Sequence, residues 1–120
     1  VKMSILKTIY DTLKEDGIKV YMPGTHKGEC LEPYAVIKLD GATPELIVSS
    51  ERPVYTILLY VPINQYTKLE DFEMEVKNSM KKVFPLVMYV GNETPSYYEE
   101  DKKAHMVSFQ YLGCRKVNNF

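Results

Sequence analysis

Apolar positions along this chain keep two different periods. Over residues 4–16, Ile5, Leu6, Ile9 and Leu13 recur three or four apart, which predicts an amphipathic helix. Ser4 is placed to cap its start and Gly17 to end it. A second helical stripe runs through Leu69, Phe72, Val76, Met80 and Val83. Thr67 and Glu70 have capping-box spacing ahead of it, and Pro85 stops it. Acidic residues fill its first turns and Lys77, Lys81 and Lys82 its last, an order that suits the helix dipole.

Elsewhere the period is two, or the run is apolar on both faces. Residues 18–22 predict a strand, turned by Pro23-Gly24. Residues 34–39 predict another, bounded by Asp40-Gly41. Residues 42–52 are mixed, with room for a short strand at 46–49. Residues 54–61, "VYTILLYV", are apolar or aromatic on both faces, the mark of a central strand. Residues 86–90 form a further strand and 91–101 a polar loop. In residues 103–112, His105, Val107, Phe109 and Tyr111 alternate with Ala104, Met106, Ser108 and Gln110, predicting a half-exposed strand. Residues 113–120 read as a short mobile tail.

Loops rather than helices link most of these strands. The expected fold is therefore α+β: a mostly antiparallel sheet of four to five strands with two helices on one face, forming one domain over residues 1–120.

Composition narrows the function without selecting it. The chain is 45% hydrophobic and 26% charged, with 15 basic and 16 acidic residues and a net charge of −1. Binding nucleic acid by phosphate neutralisation calls for a clearly basic surface, so no specific nucleic-acid partner is expected. No apolar run approaches the roughly 18–20 residues that span a membrane. Two cysteines, Cys30 and Cys114, make no disulfide framework, which points to a reducing cytoplasm.

The stretch "THKGECLEPY", residues 25–34, concentrates chemistry: His26, Glu29, Cys30 and Glu32. A structural zinc site needs four N or S ligands, and the remaining candidates, His105 and Cys114, lie far off in sequence. A nucleophilic Cys30 needs an activated thiolate and an oxyanion site, and nothing nearby marks either. The simpler expectation is a polar turn at Lys27-Gly28 with Cys30 facing the core as a small hydrophobe. No cofactor or metal is expected. Outside the regular elements, Tyr97 and Tyr98 are the strongest interface anchors, and Lys27 and Glu29 could meet opposite charges on a partner.

Two runs carry a resemblance: His26-Lys27-Gly28-Glu29-Cys30 followed by Pro33-Tyr34-Ala35-Val36-Ile37-Lys38, and Tyr60-Val61-Pro62 followed by Tyr66-Thr67-Lys68-Leu69-Glu70. Together with the element order they make the chain resemble small tail-completion proteins of tailed bacteriophages and prophages of Gram-positive bacteria. The resemblance spans residues 5–113. It implies a non-enzymatic tail terminator or head–tail joining protein, with no catalytic residues. Six copies would form a ring on the tail tube, meeting the tail tube protein on one side and a head connector or adaptor on the other. Such a protein assembles in the host cytoplasm and ends at the head–tail junction of the virion. Two other classes stay open: a small enzyme or metal-binding protein centred on Cys30 and His26, and an α+β ligand-binding regulatory domain.

Overall fold

The computed structural model describes residues 5–44, 50–113 and 116–117. The first helical stripe becomes α1 (Ile5–Glu15), which buries Ile9 and Leu13. Gly17 closes it at φ 82°, with Gly17 N–H donating to Lys14 O at 3.0 Å and Ile18 N–H to Leu13 O at 3.1 Å. That paired closure satisfies the last carbonyls, and it needs a left-handed residue at this point. Ser4, the expected cap, lies outside the described residues.

The second stripe becomes α2 (Leu69–Met80), and Leu69, Phe72, Val76, Met80 and Val83 are all buried as expected. The capping box does not form. Residues Ile63–Lys68 are wound as 3-10 turns after Pro62, with a kink at Gln65, and Lys68 enters α2 in helical geometry with no side-chain cap. Thr67 stands inside the helical turns that run on from that kink into α2, so it has no free first turn to cap.

Among the described residues seven strands build one sheet: β1 (Val20–Tyr21), β2 (Tyr34–Pro44), β3 (Ser50–Pro62), β4 (Val87–Gly91), β5 (Tyr97–Glu99), β6 (Ala104–Gly113) and β7 (Lys116–Val117). The count exceeds the expected four to five, because three of the strands are only two or three residues long. The order is β1-β2-β3-β6-β4, with β5 on β6 and β7 on β3. Among the described residues only the β1–β2 pairing is parallel. The fold is α+β, with a mostly antiparallel sheet.

Several boundaries move, each for a local reason. The expected strand at 18–22 shrinks to two residues. β2 does not stop at Asp40-Gly41 but runs through a bulge there, because Gly41 takes φ 95° and absorbs the extra residue. β3 starts four residues earlier than expected, paired with that extension. The proposed strand at 46–49 lies outside the described residues. The 91–101 loop contains β5 and a short 3-10 turn, so it is a sheet margin in its second half. Part of the expected mobile tail is β7, paired to Ser50 and Glu51.

Both helices pack on one face of the sheet. Ile9, Leu13, Phe72, Val76 and Met80 meet Ile37, Ile57, Leu59, Val107 and Phe109 in the main core. The opposite face is not bare. Residues 22–33 leave β1 and fold back across it, and Cys30, Tyr34, Tyr60, Ala104 and Met106 form a second buried cluster there. The alternation expected in β6 is present, but both of its faces are largely covered, so it is not half-exposed. Ordering this cross-connection is what buries the second face.

Candidate interaction surfaces

The crossing loop is anchored at both ends of its reactive-looking stretch. Cys30 N–H donates to Lys102 O at 2.8 Å, and Lys102 Nζ donates to His26 O at 3.3 Å. Between them Gly28 turns the chain at φ 85°, leaving Lys27 and Glu29 exposed as expected. Cys30 is 4% exposed, and its thiol donates to Glu32 O at 3.2 Å. Burial pushes the thiol pKa up to about 11, against a smaller opposing pull from its contact with Glu32. Such a thiol stays protonated at neutral pH and lacks the activation a nucleophile needs.

The loop also completes an aromatic stack. The His26 ring lies on Tyr34 with centroids 4.0 Å apart, Tyr34 lies on Tyr60 at 4.8 Å, and Tyr21 closes edge-on at 5.3 Å from Tyr34. Tyr34 and Tyr60 are direct cross-strand partners in the β2–β3 register, which places their rings together. Burial raises the phenol pKa of both, Tyr60 to about 12. It lowers that of His26, with the nearby Lys102 charge adding to the effect. His26 Nδ1 and Tyr34 OH have no hydrogen-bond partner among the described residues. Among those residues no group of three or more His, Cys, Asp and Glu side chains is placed to hold a metal. His105 sits elsewhere, in contact with Tyr66 at 4.6 Å and Tyr98 at 5.5 Å. Cys114 is outside the described residues.

Tyr97 and Tyr98 lie in β5, on the outer margin of β6. They are 49% and 37% exposed. Tyr97 OH donates to Met106 Sδ at 3.2 Å, so its ring leans on the loop-covered face, while Tyr98 leans on His105 toward the helix face. Lys27 and Glu29 are on the crossing loop, whose Cys30 N–H bonds to Lys102 O just past β5, and the Glu29 charge acts on Lys103 there.

Two hollows were not legible in the sequence. One, of about 640 Å³, lies between α1 and the β1 edge, with Tyr10, Lys14, Lys19 and Tyr21 in its wall. The other, about 410 Å³ and mostly apolar, lies between α2 and β4, walled by Met80, Phe84, Val87, Tyr89 and Tyr111 with Lys77 and Lys81 at its rim. Beside it Phe84, Met88, Tyr89 and Val90 are exposed. Both hollows depend on how a helix overhangs a sheet edge, which no single segment encodes.

No described helix is long and apolar enough to cross a membrane. Compared with known proteins, the chain matches no family model and no curated protein sequence.

Proposed function

We propose that this chain is a structural subunit of a tailed phage or prophage, acting in tail completion and head–tail joining as a ring that caps the tail tube. The observation that carries the reading is the exposed aromatic and apolar margin at one edge of the sheet, from Met88 to Tyr98. A subunit that works by docking needs such a surface, and large exposed aromatics are the usual anchors of protein contacts. The resemblance in residues 26–38 and 60–70 supplies the virion setting. The partners on this reading are other copies of the chain, the tail tube protein and a head connector or adaptor. The net charge of −1 fits a ring around passing DNA, since a basic lumen would hold phosphates and slow passage.

The test is electron microscopy of particles lacking this protein, and of particles carrying Tyr97→Ser with Tyr98→Ser. Abnormally long tails, or tails that fail to join heads, are expected from both. Normal tail length and joining in the absence of the protein would refute the reading. Normal particles from the double variant alone would remove β5 from the essential contacts.

A second reading, a small-ligand-binding domain, is favoured by the apolar hollow beside α2. Saturable binding of an apolar carboxylate there, lost in Lys81→Glu, would support it.

A further inference from the structure

β1 and β5 lie at opposite edges of the same sheet, and the outer side of each is unpaired among the described residues. They also lie level with one another. The register runs from Val20 to Ala35, Leu59 and Val107, one step from the Tyr97–Met106 pair. β1 runs parallel to β2, and three antiparallel steps from β2 through β3 and β6 reach β5. A copy translated sideways across the sheet therefore brings its β1 antiparallel to β5 of its neighbour, the geometry of strand addition at a sheet edge.

The surfaces beside the two edges differ in a complementary way. The groove at β1 has Lys14 and Lys19 in its wall, between Tyr10 and Tyr21, and no carboxylate among the described residues of its lining. The margin at β5 continues from Tyr97 and Tyr98 into Glu99, Glu100 and Asp101. In the translated pair Tyr97 falls opposite Lys19, and Tyr98, on the helix side, faces the overhang of α1. Two ion pairs stand in the way, Lys19–Glu32 at 3.6 Å and Lys103–Glu100 at 3.4 Å. All four side chains are more than half exposed, so exchanging these partners costs little.

We propose that copies of this chain associate head to tail, the margin at residues 97–101 of one copy seating in the groove between α1 and β1 of the next. The contact joins two different surfaces, so it closes into a ring or grows as a filament rather than stopping at a symmetric dimer. It rests on the reading of the chain as a self-associating subunit, and names the faces that meet.

The test uses two full-length chains in a Cys114→Ser background, one with Lys19→Cys and one with Tyr97→Cys. Mild oxidation of the mixture should give a disulfide-linked dimer that neither chain forms alone. A single chain carrying both substitutions should give a ladder of higher oligomers. Charge reversal by Lys14→Glu in the Lys19→Cys chain should reduce the yield of mixed dimer, and Asp101→Lys in the other chain should restore it. A lysine-reactive cross-linker that yields oligomers while the mixture gives no disulfide would overturn this contact and leave self-association standing. Absence of both products at every concentration would overturn the contact and the ring reading together.

Discussion

The imidazole of His26 lies face to face on the ring of Tyr34, centroids 4.0 Å apart and planes 19° from parallel. Burial and the Lys102 charge hold His26 below its ordinary pKa of 6.5. The folded chain thus takes up this proton less readily than the unfolded chain. The contribution of His26 is complete above the unfolded value and is lost as pH falls through it toward the folded one. Melting temperature should fall on acidification from about pH 7 to about pH 5 more steeply in wild type than in His26→Phe. Equal slopes would mean that the stack is not the acid-sensitive element.

Cys30 should be a slow thiol. With its pKa raised to about 11, only about one molecule in a thousand carries the thiolate at pH 8. In a Cys114→Ser background, thiol labelling of the native chain should run about a hundredfold or more slower than in denaturant. Comparable rates in the two conditions would show that the crossing loop opens freely. Cys30→Ser should leave assembly intact at a cost of roughly 1–3 kcal/mol, read by denaturant unfolding, as the hydroxyl is buried in an apolar cluster.

Phe72 joins α2 to the main core and is 8% exposed. Phe72→Ala should cost about 3–5 kcal/mol in chemical denaturation, the range for truncating a buried aromatic. A variant that unfolds like wild type but fails to associate would turn the stripe from core into interface.

Gly113 closes β6 against the start of β3. A Cβ there would stand 2.7 Å from Pro53 Cγ and 3.1 Å from Tyr55 Cε2, and Gly113 O accepts from Arg52 Nε at 3.0 Å. The proline ring has little freedom to retreat. Gly113→Ala should destabilise by about 1–3 kcal/mol in denaturant unfolding, as overpacking does. A neutral result would show that β3 and β6 separate easily at this end.

Much of this fold follows from sequence, because its period is local. The stripe from Leu69 to Val83 needs only helical geometry to come to one side, and the doubly apolar run at 54–61 needs only a central place in the sheet. Gly17 ends α1 because the required left-handed turn suits glycine almost alone. The burial of Cys30 was also legible, since the loop offered no second pair of ligands. The remainder depended on residues distant in sequence. Tyr34 and Tyr60 stack because a β2–β3 register sets them opposite, and His26 joins them because Lys102, 76 positions later, holds its loop. β5 reads as loop because three polar and aromatic residues carry no period, and only pairing with β6 makes them a strand. Thr67 reads as a cap because sequence cannot reveal that it stands inside helical turns running on from a kink at Gln65. The grooves at the two sheet edges exist only once the helices overhang the sheet. Local periodicity determined the elements and their buried faces; long-range register and the crossing loop decided which side chains meet.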